Sequence, residues 1–170
     1  LFAISSSVPG EGKTLATLLL AKTLSDVGNK VLLIDGDLRK PQLHFRLGLN
    51  NTKGFSNILT NEIEWKDAIQ NPKGYQNLSI IPAGIIPPDP IRLLSSNKLR
   101  KLFKEFKESQ EFDFTIIDTP PLLGLSDASL MNKYTDGLIL LVSVNKVQRN
   151  LPIESKESLK RNGTNILGVL

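Results

Sequence analysis

Residues 7–14 read Ser7-Val8-Pro9-Gly10-Glu11-Gly12-Lys13-Thr14, a run of small residues closed by a lysine and a hydroxyl. The run stands between an apolar, strand-like stretch, Leu1 to Ser6, and a helix-like one that begins at about Lys13. A loop that ends in a helix N-terminus aims several backbone N–H donors, and the positive end of the helix dipole, at one point. Phosphate oxygens need that arrangement, and Gly10 and Gly12 let the backbone approach them closely. The pattern is a degenerate G-x-x-x-x-G-K-[ST], with Ser7 where the first glycine would stand. On this reading Pro9, Gly10, Glu11, Gly12, Lys13, Thr14 and Leu15 surround the phosphates of a nucleotide. Lys13 reaches the β- and γ-phosphates and the Thr14 hydroxyl binds Mg²⁺, so the expected cofactors are ATP and Mg²⁺.

Two further motifs supply carboxylates. Leu32-Leu33-Ile34-Asp35-Gly36-Asp37-Leu38-Arg39 places two aspartates at i and i+2 where a buried strand ends. Both point toward the crevice in which open α/β sheets bind ligands. Near a metal-bound nucleotide they can hold the metal's water shell and accept a proton from an attacking hydroxyl. The spacing alone does not separate those roles between Asp35 and Asp37. Phe114-Thr115-Ile116-Ile117-Asp118-Thr119-Pro120-Pro121 delivers one more aspartate on an apolar strand, suited to holding magnesium directly or through water. The expected catalytic set is Lys13, Asp35, Asp37 and Asp118, the metal set Thr14, Asp37 and Asp118, and Arg39 joins the nucleotide-binding residues.

The elements that must position these groups alternate. Strands are predicted at Leu1–Ser6, Val31–Ile34 (ending at Asp35), Leu78–Ile81, Phe114–Ile117 (ending at Asp118), Leu138–Val144 and Ile166–Leu170. Helices are predicted from about Lys13 to Val27, stopped by Gly28, over Arg92–Ser109, and between Pro152 and Arg161. Phe55–Gln70 carries weak helical signals broken by Asn61, and Pro82–Pro90, with four prolines, reads as loop. Arg92–Ser109 is the clearest amphipathic segment, with Leu99, Leu102, Phe103 and Phe106 on one face. Strands apolar on both faces and separated by helices imply a mostly parallel sheet covered on both sides, a three-layer α/β sandwich.

The bulk numbers agree with one ordinary globular domain of 170 residues, 40% hydrophobic and 22% charged, with a mild net charge of +4. The absence of cysteine excludes disulfides and thiolate metal sites. No apolar run is long enough to span a bilayer and no signal peptide is recognisable. Lys98, Arg100, Lys101, Lys104 and Lys107, with Glu105 and Glu108 interleaved, read as a solvated helix face. His44, Trp65, Tyr75 and Tyr134 read as structural. Both ends fall within strand-like runs, so residues 1–170 are expected to be a fragment of a longer protein, truncated at both ends.

Together the three motifs resemble the bacterial tyrosine kinases, a branch of P-loop NTPases related to the ParA/MinD partitioning ATPases. The loop through Pro9-Gly10-Glu11-Gly12-Lys13-Thr14 is similar to that family's Walker A, Leu33 to Pro41 to its Walker A′, and Ile116 to Pro121 to its Walker B. Pro82-Ala83-Gly84, Pro87-Pro88-Asp89-Pro90 and Leu93-Leu94 also match the segment between those motifs, so the resemblance runs from Phe2 to about Asn145. The resemblance implies an ATP-dependent protein-tyrosine autokinase that regulates capsule or exopolysaccharide synthesis and export. Its implied partners are a tyrosine-rich C-terminal tail, its own or a neighbouring subunit's, and a fused or separate membrane polysaccharide co-polymerase. A homo-oligomer at the cytoplasmic side of the inner membrane is implied for the full-length protein, and no nucleic-acid partner is expected. The tyrosine cluster and a helix before the first strand would lie outside residues 1–170. The alternative is a ParA/MinD-like ATPase switch without transfer to protein. Its signature lysine would fall at Val8, and its glycine where Pro9 stands. A third reading keeps the nucleotide site in a non-catalytic regulator of export.

Overall fold

A computed structural model describes all of residues 1–170. Six parallel strands form one sheet: β1 (Phe2–Ser6), β2 (Val31–Asp35), β3 (Leu78–Ile81), β4 (Phe114–Asp118), β5 (Leu138–Leu141) and β6 (Ile166–Val169). Their spatial order is β3-β2-β4-β1-β5-β6. Strands β1 to β5 are largely buried on both faces because consecutive residues serve different cores, whereas the edge strand β6 leaves Leu167 and Val169 exposed. Ala3, Leu32, Ile34 and Ile117 enter one apolar cluster, while Ile4, Val31, Leu33 and Ile116 enter the other. This is the period-two consequence of a sheet sandwiched between helix layers.

The helix α1 (Lys13–Asp26) covers one face, with Leu18 and Ala21 in the smaller cluster. It ends as predicted, with Gly28 at φ 98° and its N–H donating to the Ser25 carbonyl. On the opposite face lie α5 (Asn97–Ser109), α6 (Asp127–Asn132) and α7 (Asn150–Arg161). All four apolar residues assigned to the α5 face are buried. Phe103 stacks on Phe55 at 6.3 Å and Phe106 meets Trp65 edge-on at 5.2 Å, so Trp65 is packing, as expected.

Several boundaries differ from the sequence reading. The segment Arg92–Ser109 is two helices, α4 (Pro90–Leu94) and α5, separated at Ser95 and Ser96. Asp89 starts α4 by accepting the Arg92 N–H, with Pro90 at the first helical position, so the proline loop ends earlier than predicted. β5 stops at Leu141 rather than Val144, since the Ser143 N–H turns to a side-chain acceptor instead of the ladder. Leu43–Leu47 forms a short helix, α2, and the weak signals of Phe55–Gln70 resolve into α3 (Phe55–Leu59) and a 3₁₀ turn, Trp65–Ala68. His44 lies in α2.

The strand order places the site. β1 and β4 are neighbours, yet the chain leaves β1 into α1 on one face and leaves β4 toward α6 on the other. A crevice opens between connections that diverge in this way. β2 lies on the far side of β4, with Asp35 level with Asp118, so three motifs far apart in sequence end side by side. Gly36 permits this closeness: a Cβ there would stand 2.8 Å from Ile117 Cγ2 and 3.0 Å from the Asp118 carbonyl oxygen. Gly36→Ala is therefore expected to destabilise the fold by about 1–3 kcal/mol. A urea midpoint lowered at constant m-value is the expected readout, and an unchanged midpoint would show that the strand ends separate easily.

Candidate active site

The loop between β1 and α1 takes its shape from two residues in the left-handed region, Gly10 at φ 85° and Gly12 at φ 90°. A side chain at either would strain the turn. The loop lines a cleft of about 580 Å³ together with Lys13, Thr14 and Leu15 at the start of α1. Asp37, Arg39, Lys40, Gln42 and Arg46 form another wall, and Pro120, Pro121 and Leu125 a third. Lys13, Arg39, Lys40 and Arg46 give the cleft four cationic side chains, suited to a polyanionic ligand.

Lys13 does not extend into open solvent. Its Nζ donates to Asp118 Oδ1 at 2.6 Å and to Thr14 Oγ1 at 3.3 Å, and both charged side chains are buried. Thr17 Oγ1 also donates to that carboxylate oxygen, at 3.4 Å. The other oxygen, Asp118 Oδ2, is buried with no hydrogen-bond partner. Burial pushes the Asp118 carboxyl above its ordinary range, while the Lys13 ammonium beside it pulls it back. A buried, unpartnered carboxylate oxygen beside a threonine hydroxyl fits a hard cation. No group of three His, Cys, Asp or Glu side chains converges to hold a metal unaided. These residues therefore suit a magnesium ion that brings most of its oxygen ligands from water and phosphate.

The structure distinguishes the two aspartates of the second motif. Asp35 is fully buried, its Oδ2 accepting from the Gln42 and Leu43 N–H groups at 3.1 and 3.0 Å. Its Oδ1 accepts from the Asp37 N–H at 3.3 Å. It caps the start of α2, and burial, reinforced by repulsion from Asp118, pushes its pKa up to about 7. Asp37 lines the cleft and accepts the Arg39 and Lys40 N–H groups on Oδ1, at 3.2 and 2.9 Å. No protein donor meets its Oδ2, which leaves that oxygen for a ligand.

Comparison with known proteins agrees with this geometry. The family model described as "AAA domain" matches residues 1–149. Tyrosine-protein kinase YwqD of Bacillus subtilis is 35% identical over 167 residues, covering 98% of this chain and 69% of its own length. Tyrosine-protein kinase CpsD of Streptococcus agalactiae is 33% identical over 171 residues, covering 100% of this chain and 72% of its own length. The chain belongs to the bacterial tyrosine-protein kinase family. The crystal structure of the chimerical protein CapA2B2 superposes on this kinase fold with a TM-score of 0.92 at 32% identity, covering 99% of this chain and 73% of that one. The MinD protein of Pyrococcus horikoshii, solved with Mg-ADP, superposes less closely, with a TM-score of 0.79 at 27% identity over 99% and 68%. The architecture is thus the α/β P-loop NTPase fold of the ParA/MinD-related branch.

Within this kinase fold, the expected site residues divide. Pro9, Gly10, Gly12, Lys13, Thr14, Leu15, Asp37 and Arg39 all line the cleft, and Asp118 lies behind Lys13. Glu11 touches the cleft, but its carboxylate turns inward, accepting the Val8 N–H at 2.8 Å and the Ser143 N–H at 3.0 Å. It ties the phosphate loop to the segment after β5. The sequence reading missed Gln42, Lys40 and Arg46, and also Asp127, which pairs with Arg39. The basic residues just beyond the second motif were the available signal for Lys40 and Arg46. Asp127 carried no signal, because its partner is 88 positions away. Tyr75 and Tyr134 are partly buried against the two cores, consistent with structural roles.

Two outcomes follow from the buried charges. Lys13→Met leaves Asp118 uncompensated, and nucleotide-free protein is expected to lose about 3–5 kcal/mol in urea denaturation near pH 8. The loss shrinks as pH falls, because the buried carboxyl without its lysine is pushed further up and takes up a proton, and a pH-independent loss would contradict the pairing. A slope of the same sign in the wild type arises at a different aspartate. Asp35 has a folded pKa raised from 3.8 to about 7, so folded protein binds the extra proton between those values. Its contribution to stability is full below about pH 4 and declines as pH rises to about 7. Asp35→Asn removes this component, as comparison of stability-against-pH curves would reveal.

Proposed function

We propose that this domain transfers the γ-phosphoryl group of Mg²⁺-ATP to tyrosine, with Asp37 as the proton acceptor. The observation that carries the reading is the contrast between Asp35, whose oxygens are engaged by backbone amides, and Asp37, which lines the cleft and whose Oδ2 no protein donor engages. In a chain of the tyrosine-kinase family, that oxygen is the group available to a tyrosine hydroxyl.

The phosphate loop's amides and Lys13 bind and orient the phosphates, and Lys13 neutralises charge on the transferred group. Thr14 and Asp118 would hold the magnesium, with Asp37 on its water shell. The ion supplies charge neutralisation for the phosphate oxygens when bound. For Lys13 to reach phosphate it must leave Asp118, whose charge would then be balanced by the magnesium that Asp118 and Thr14 would hold. Thr14 is freed by the same movement. Pro120 and Pro121 bound the cleft opposite Asp37 and Arg39 and present no N–H to it.

The acceptor class is a tyrosine-rich tail, from the same or a neighbouring subunit, in a homo-oligomer of the full-length protein. A polysaccharide co-polymerase in the bacterial inner membrane is the proposed partner, with the kinase on its cytoplasmic side and capsule or exopolysaccharide export under its control. Kinship with tyrosine-protein kinase CpsD and the fold match to CapA2B2 support this setting. No helix of the domain is long and apolar enough to cross a membrane. The MinD likeness supports a shared nucleotide fold. The ATPase-switch reading lacks its signature lysine, since Val8 stands at that position.

Incubation of the intact protein with γ-labelled ATP and Mg²⁺ is expected to place label on tyrosine. Lys13→Met and Asp37→Asn should each lower the transfer rate by about 10²- to 10³-fold, Asp37→Asn with nucleotide binding retained. Labelled tyrosine at wild-type rates in Asp37→Asn would remove Asp37 from the chemistry. Release of inorganic phosphate without any phosphotyrosine would favour the ATPase switch.

A further inference from the structure

The Asp37–Lys40 loop has no helix or strand to hold it, yet it must present one carboxylate oxygen accurately. Its inner side is fixed by Leu38, buried in the larger core, and by the hydrogen bonds that Asp37 Oδ1 accepts from the Arg39 and Lys40 amides. Its outer side is fixed by a bond outside the motif. Arg39 Nε donates to Asp127 Oδ1 at 2.6 Å and its Nη2 to Asp127 Oδ2 at 3.1 Å, a two-pronged pair that fixes direction as well as distance. The Asp127 side chain is only 1% exposed and opens α6, whose Ala128 and Met131 are wholly buried in the larger core. The anchor is therefore rigid. Donating to the Asp127 carboxylate holds the Arg39 guanidinium above its ordinary pKa.

We propose that Asp127 is a positioning residue for phosphoryl transfer: by clamping Arg39 to α6 it fixes the loop that carries Asp37 in the wall of the cleft. The inference rests on the reading of Asp37 as proton acceptor, and adds a residue that lies outside the three motifs. The geometry explains why a carboxylate is required at this point. A neutral side chain can accept from one prong of the guanidinium, but not from both while balancing its charge. It also gives Arg39 a role distinct from direct phosphate binding, since two of its donors are already engaged.

Asp127→Asn in the intact protein tests the clamp by two readouts. Amide hydrogen exchange at Arg39 and Lys40 is expected to accelerate, while β2 and α1 amides keep wild-type protection, and this readout does not depend on any kinase activity. The rate of phosphate transfer to tyrosine should fall about 10- to 100-fold, with KM for ATP and melting temperature near wild type. Asp127→Glu should recover part of the loss by restoring the ion pair. In an Arg39→Gln background, adding Asp127→Asn should cost nothing further. Unchanged exchange in the loop would overturn the clamp, as would additive effects of the two substitutions. So would a lowered melting temperature that accounts for the lost activity, which would make Asp127 a helix-starting residue only. If wild-type protein labels no tyrosine, the kinase reading fails, while the exchange result still decides whether Asp127 orders the loop.

Discussion

The site depends on one buried ion pair, Lys13 with Asp118. Two unit charges withdrawn from water carry a desolvation cost that only their mutual attraction and hydrogen bonds offset, so neither can be removed alone without a large penalty. Asp118 lies in a deep acidic corner, with Asp35 level with it on the adjoining strand. Burial and mutual repulsion hold Asp35 near neutrality at moderate pH, which relieves the corner of part of its negative charge. Lys13 supplies the balancing cation. The same ammonium is the natural ligand for phosphate, so charge balance in the corner and nucleotide capture are coupled through one side chain.

The sheet makes that coupling geometrically feasible. Had the strands followed chain order, β2 would lie beside β1 and the carboxylate of β4 would be remote from the phosphate loop. Insertion of β4 between them brings Asp118 behind Lys13 and puts Asp37 on the opposite wall of the same cleft. Gly36 lets the strand ends close together, and Glu11 ties the phosphate loop to the segment following β5. Each constraint converges on the distance between a lysine and an aspartate 105 residues apart.

Much of this was legible in the sequence. Apolar runs such as Val31–Ile34 and Phe114–Ile117 have no polar face, which only a sheet covered on both sides can accommodate, and each ends in the aspartate that marks the cleft. The phosphate loop was readable because its chemistry is local: two glycines, a lysine and a threonine act within eight residues. What escaped is what depends on tertiary partners. Asp35 and Asp37 are equivalent in sequence. Only the amides of Gln42 and Leu43, at the start of a short helix with weak intrinsic signals, withdraw one from the cleft. Glu11 in the loop reads as a ligand-facing residue until its acceptor role toward Ser143 is seen. The break at Ser95–Ser96 had a signal that the reading passed over, since the apolar spacing of α5 traced back from Leu99 meets two serines there.

If Lys13 occupies the face of Asp118 until phosphates draw it away, a divalent cation should find no site in the nucleotide-free domain. Titration of Mn²⁺ into the nucleotide-free wild-type chain, followed by electron paramagnetic resonance, tests this directly. The Lys13–Asp118 pair predicts that the Mn²⁺ signal stays that of the free aqueous ion, and that bound ion is detected once ADP is added. Tight Mn²⁺ binding to the nucleotide-free wild type would contradict it.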